Sequence, residues 1–181
     1  MWAITYPAQV SSSTPRPDRV DELLDTWHRE LPAVLGPSSE LAKRVMLLAA
    51  ALDAATRREL TRYGLTGAEF DILAALRRAG KPYRMKPHEV GRAVLLSSGG
   101  TTNTLNRLAA RGLVDRSPDP DDGRSMFIRL TPEGVELAER ALLGNAAAHA
   151  EVFDGVPGED LDAAAHALRA VPLPGDRGRR S

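Results

Sequence analysis

Gly99, Thr102, Asn103 and Asn106 fall on one side of a helix wound at 3.6 residues per turn, with Arg107 at their flank. Thr101, Leu105 and Leu108 fall on another side and suit packing. The first set suits hydrogen bonding to a base edge. Asn pairs bidentately with adenine, Thr offers a methyl or hydroxyl, and Arg pairs with guanine or phosphate, all of which a DNA major groove can use. Gly99 and Gly100 have no Cβ, so a helix starting near Ser98 can bring its N-terminal N–H groups close to a phosphate. The residues expected to contact DNA are therefore Ser98, Gly99, Thr101, Thr102, Asn103, Asn106 and Arg107, joined by Arg124 from the segment that follows.

That segment, DPDDGR, lies between two short stretches of strand character, Leu113 to Ser117 and Ser125 to Leu130. Gly123 permits a tight turn, and Arg124 is placed to enter an adjacent minor groove. Asp119, Asp121 and Asp122 would repel a phosphate. The reading adopted is that Asp121 or Asp122 extends Arg124 through a charge-assisted pair. A short helix from Pro87, a turn at Leu95 to Ser97, a second helix and this hairpin make the order of a winged helix-turn-helix. Either half alone is common in proteins that do not bind DNA; the ordered combination is far more specific.

Further elements must hold this unit. A first helix is expected from Arg19 to Val34, with Val20, Leu23, Leu24, Trp27 and Leu31 at helical spacing. Ser39 is read as the cap of a second helix from Glu40 to Tyr63, whose stripe is Leu41, Val45, Leu48, Leu52 and Leu60. Such a helix, ~24 residues and ~36 Å long, suits a scaffold better than one small core. Thr66 and Glu69 form a capping box for a third helix, Gly67 to Ala79, with Phe70, Leu73 and Leu76 inward. Thr131 and Pro132 start a helix reaching Val152, with Gly144 read as a weak point in its middle, and a last helix runs from Pro157 to Ala170.

The fold class expected is mainly α with a small β wing. A flexible arm covers 1–18, two helices of a dimerisation and ligand region 19–64, the winged unit 65–131, dimerisation helices 132–172, and a flexible tail 173–181. The terminal helices carry more apolar surface than one small core can bury, and a homodimer is the economical explanation.

Composition restricts the alternatives. Lys and Arg number 24 and Asp and Glu 24, so any basic surface is local. No Cys is present, which removes disulfides and thiolate chemistry, and no apolar run approaches the ~20 residues of a membrane span. The N-terminus lacks secretory character, and a cytoplasmic location is expected. His28, His88, His149 and His166 are scattered without metal-ligand spacing, and no nucleophile elbow or phosphate-binding loop occurs, so neither an enzyme nor a metal site is expected. The remaining alternative is a winged-helix module turned to protein binding, against which Asn103, Asn106, Arg107 and Arg124 argue together.

The run LSSGGTTNTLNRLAARGLVDRSPDPDDGRSMFIRLTPEG resembles the recognition helix, wing and following helix of the multiple antibiotic resistance regulator (MarR) family, and the similarity extends from about Val20 to Phe153. The resemblance implies a homodimeric, ligand-responsive transcriptional regulator, usually a repressor, with two winged units on a pseudo-palindromic stretch of double-stranded DNA. Upstream, RVDELLDTWHRELP is similar to the extra first helix of the urate-responsive PecS-like branch. That branch implies a small-anion effector pocket, with Trp27, Asp71 and Arg116 at matching positions. Thr104 stands where a second Arg is expected, which removes a fork of donors and opens the effector's identity to organic anions other than urate. No cofactor is implied beyond this effector.

Overall fold

The computed structural model describes residues 17–94, 98–118 and 126–172. Its elements are α1 (Arg19–Glu30), a 3-10 turn (Pro32–Val34), α2 (Ser39–Arg62), α3 (Gly67–Arg78), β1 (Arg84–Met85), α4 (Pro87–Val94), α5 (Ser98–Ala110), β2 (Val114–Pro118), β3 (Met126–Leu130), α6 (Pro132–Val152) and α7 (Gly158–Leu168). They form two compact units that divide after Ala50, within α2.

In the unit up to Ala50, Asp18 caps α1 and shares a capping box with Asp21. Arg44 on α2 pairs with Asp18, with Asp21 at 2.9 Å and with Glu40 at 2.9 Å. The Arg44 hydrogen bond, followed by the Val20 backbone N–H, holds the Asp18 carboxyl below its ordinary value. The first helix ends earlier than its apolar spacing suggests. Leu31 precedes Pro32, whose ring disfavours the α conformation at the residue before it, and Leu31 accordingly adopts φ −155° and ψ 73°. Ser39 is the first residue of α2 instead of its cap, and its hydroxyl accepts the Gly36 N–H at 2.8 Å.

The unit from Ala51 holds the main core. Phe70, Leu73 and Leu76 of α3 are buried as their spacing predicts, with Ile72 and Ala75 beside them. They pack with Leu60, Val90, Leu105, Leu108, Ile128 and Ala138, so α3 is central to the cluster. The capping box at the start of α3 is complete: Glu69 N–H donates to Thr66 Oγ1, and Thr66 N–H donates to Glu69 Oε2 at 2.9 Å. Gly64, Gly80 and Gly112 have positive φ just after α2, α3 and α5, where left-handed backbone ends a helix.

β1, β3 and β2 form a three-stranded antiparallel sheet in that order, with Val114 opposite Leu130, Arg116 opposite Ile128 and Pro118 opposite Met126. β1 was not foreseen; two residues carry no readable alternation, and its pairing with Arg129 and Ile128 is a long-range event. Thr131 caps α6 as expected, receiving the Gly134 N–H at 3.0 Å and donating its hydroxyl to the Gly112 carbonyl at 2.7 Å. Gly134 is needed because a Cβ there would overlap the Leu113 carbonyl. Gly144 likewise has a packing reason and is not simply a weak point, since a Cβ would press on the Glu59 carboxylate and the Tyr63 hydroxyl. α7 is shorter at both ends than its apolar pattern suggests, covering Gly158–Leu168.

Candidate nucleic-acid interface

α4 and α5 provide the two helices of the candidate reading unit. Pro87 occupies the first turn of α4, where its missing N–H interrupts no helical bond, and Val90 anchors α4 in the core with no exposed surface. On α5, Thr101, Thr104, Leu105 and Leu108 are buried, at most 4% exposed. Gly99, Thr102, Asn103 and Asn106 are exposed on the other side. Thr101, expected both to pack and to lie near DNA, thus belongs to the packing side.

Arg107 and Arg111 turn toward α3. Arg107 Nη2 donates to Thr104 Oγ1 at 3.3 Å, and its Nε lies 3.6 Å from Glu69 Oε1. Arg111 Nη1 donates to the Gly64 carbonyl at 3.0 Å and lies 3.6 Å from Glu69 Oε2. Burial by itself would raise the Glu69 carboxyl. The Thr66 N–H and hydroxyl, with Arg111 and Arg107, outweigh burial and hold it below the ordinary value. This charged node fixes the back of α5 to the start of α3, so the exposed side of α5 is presented by a supported helix.

The residues assigned to an effector have separate surroundings. Arg116 on β2 is exposed, and its Nη2 donates to Asn106 Oδ1 at 2.8 Å. Asp71 on α3 is also exposed, and desolvation raises its carboxyl above the ordinary value. Thr104 is 3% exposed and donates its hydroxyl to the Gly100 carbonyl at 2.9 Å. Trp27, in the other unit, is 42% exposed. The structure therefore joins Arg116 to Asn106 and turns Thr104 inward. Arg124, the acids Asp119, Asp121 and Asp122, and the turn Leu95 to Ser97 lie outside the described residues.

Sequence reasoning passed over the base of the wing. Arg84 sits over the Phe127 ring at 4.2 Å from its centre, with Lys86 Nζ at 5.7 Å. These cation–π contacts place two basic side chains on the sheet that carries the wing. The signal was the basic run KPYRMK ahead of Pro87. Beside them, Arg129 on β3 pairs with Asp115 across the ladder at 2.8 Å.

A supported recognition helix, the helix before it and an antiparallel wing sheet define a winged helix-turn-helix protein. A model of the MarR family matches residues 63–125. The HTH-type transcriptional regulator PecS of Dickeya dadantii is 35% identical over 130 residues, 68% of this chain and 74% of that protein. The chain belongs to the MarR family of DNA-binding transcriptional regulators, a non-enzymatic family. In structure it is similar to a mutant of Escherichia coli MarR complexed with operator DNA, with a TM-score of 0.63 at 24% identity over 77% of this chain and 100% of that one. Bordetella bronchiseptica BpsR, whose DNA binding is regulated by 6-hydroxynicotinic acid, matches with a TM-score of 0.61 at 25% identity over 75% of this chain and 95% of that one.

Among the described residues, no helix is long and apolar enough to cross a membrane. The same residues contain no group of three or more acidic or His side chains that could hold a metal ion.

Proposed function

We propose that the chain acts as a homodimeric repressor on a pseudo-palindromic operator and is released by a small anionic or aromatic effector. The observation that carries the DNA-reading part is the division of α5 into a buried side and an exposed side bearing Gly99, Thr102, Asn103 and Asn106. Ser98 and the helix N-terminus serve phosphate, Thr101 and Arg107 support the reading side, and Arg124 enters the minor groove from the wing. Two such units in a dimer address successive major grooves, roughly 34–36 Å apart.

The dimer is supported by apolar side chains that one chain leaves exposed, among them Leu41, Val45, Met46 and Leu168. The effector reading draws on BpsR, which responds to an aromatic acid. Arg116 supplies the cation and Asp71 a carboxyl that desolvation raises above its ordinary value, while Thr104 shapes the site without donating to the ligand. Trp27 enters on its sequence position alone. To reverse repression, the ligand must bind the DNA-incompetent state better than the competent one.

Thermal-shift measurements with urate and 6-hydroxynicotinic acid test the effector. Wild type should be stabilised by at least one of them, with the shift reduced in Arg116→Ala and Trp27→Phe. Equal shifts in all three proteins contradict these residue roles. Protection of DNA flanking the chain's own gene, weakened by the stabilising compound, tests repression by release.

A further inference from the structure

We propose that Arg116 is a positioning residue for base reading: it sets which end of the Asn106 carboxamide faces the DNA. The inference rests on the reading role proposed for Asn106 and deepens it. A carboxamide has an acceptor end and a donor end of nearly equal size, and rotation about its last bond exchanges them. A solvent-exposed Asn can therefore offer either end to a base. Arg has donors only, so the carboxamide atom facing a guanidinium must be the oxygen, whatever the orientation of a free Asn would be. At 2.8 Å, Arg116 Nη2 meets Asn106 Oδ1 and leaves the Nδ2 amino group as the end turned away.

The supporting geometry is fixed on both sides. Arg116 is held in the middle of β2, opposite Ile128, which is 2% exposed. Its neighbour Asp115 is taken by Arg129, at 2.8 Å, so the nearest acid in sequence is already engaged. Asn106 lies between Leu105 and Arg107 on α5, the former buried and the latter drawn to Glu69 and Thr104, so the helix cannot readily turn to release the pair. Strand and recognition helix are thus joined by one hydrogen bond at the residue that reads.

The chemical consequence is specific. A major-groove base facing an outward amino group must present an acceptor. Adenine and guanine do so at N7, guanine also at O6 and thymine at O4, whereas cytosine presents only its N4 donor. The second lone pair of Oδ1 still allows a bidentate pair with adenine. Asn106 held by Arg116 consequently favours adenine, accepts guanine or thymine, and rejects cytosine at the base it faces. With Arg116 removed, the carboxamide flips freely and cytosine becomes acceptable.

Sequencing of random duplex DNA retained by the full-length chain tests this, using wild type, Arg116→Ala, Arg116→Lys, Asn106→Ala and the Arg116→Ala, Asn106→Ala double variant. Wild type should enrich a motif that excludes cytosine at the position whose preference disappears in Asn106→Ala. Arg116→Ala should raise the cytosine frequency at that same position about tenfold, Lys, another donor-only side chain, should restore the exclusion, and the double variant should match Asn106→Ala alone. If Arg116→Ala keeps the motif and lowers only the salt slope, Arg116 is a phosphate contact and the inference is overturned. A wild-type motif untouched by Asn106→Ala also overturns it. Absence of any wild-type motif overturns the sequence-reading role itself and the inference with it.

Discussion

The two compact units treat their apolar side chains in opposite ways. From Ala51 onward, Ile72, Leu73, Leu76, Val90 and Leu108 are wholly buried in one continuous cluster. Up to Ala50, Val20 is buried while Leu31, Val34, Leu41, Val45 and Met46 are each more than 40% exposed. The core of the unit from Ala51 has enough partners within the chain to exclude water, although Leu143, Val156, Leu168 and Val171 toward its C-terminal end stay exposed. The other unit leaves several large apolar side chains open, and a second copy is the cover proposed for them. The unit with the winged helices thus carries its own core, while the proposed association would cover what the other leaves open.

The largest expected effect lies in the self-sufficient unit. Leu73→Ala removes a fully buried side chain from α3 and should cost roughly 2–5 kcal/mol in urea unfolding. Gly134→Ala should follow at roughly 1–3 kcal/mol, because the new Cβ meets the Leu113 backbone carbonyl, which no rotamer change can move. A cost near zero in both variants would break the contrast between the units.

Next is the charged node behind α5. The folded Glu69 carboxyl lies below its ordinary value of 4.5, so its stabilisation is present above that pH and is lost as pH falls through the lower folded value. Glu69→Gln should cost about 1 kcal/mol at neutral pH, in the range of a lost helix cap, and flatten the decline in stability below pH 4.5. Asp71, two residues on, has the opposite sign. Its folded value is raised, so ionisation above that value opposes folding, and Asp71→Asn should stabilise the neutral protein by no more than about 0.5 kcal/mol given its exposure. An unaltered acid limb in Glu69→Gln would contradict the node.

The smallest effect on chain stability belongs to the exposed apolar surface. Val45→Asp, in which a 42% exposed side chain gains charge, should change the unfolding energy of the separated chain by less than about 0.5 kcal/mol. Sedimentation should nevertheless show it shifted from dimer to monomer. A wild type that is monomeric at micromolar concentration, or a Val45→Asp dimer of unchanged affinity, would remove the proposed cover.

Features set by near neighbours were legible from the sequence. The Thr66 and Glu69 box, Pro87 in the first turn of α4 and the Thr131 cap each act within a few residues, and each formed as read. The two sides of α5 were equally plain, because helical spacing alone separates Asn103 and Asn106 from Leu105 and Leu108. What the sequence hid depends on residues that meet through the fold. β1 exists only by pairing with β3, and the value of Gly144 emerges when Glu59 and Tyr63 press against it. The tie between Arg116 and Asn106 was missed for the same reason: they belong to a strand and a helix on either side of Gly112, and neither side chain alone implies the other.

Footprinting on DNA flanking the chain's own gene, at low salt, addresses the central claim most directly. Wild type should protect two half-sites about one helical turn apart, with protection lost in the paired Asn103→Ala, Asn106→Ala variant while its thermal stability is unchanged. No protected site, or protection that survives the loss of both Asn side chains, would contradict the assignment of this side of α5 as the reading surface.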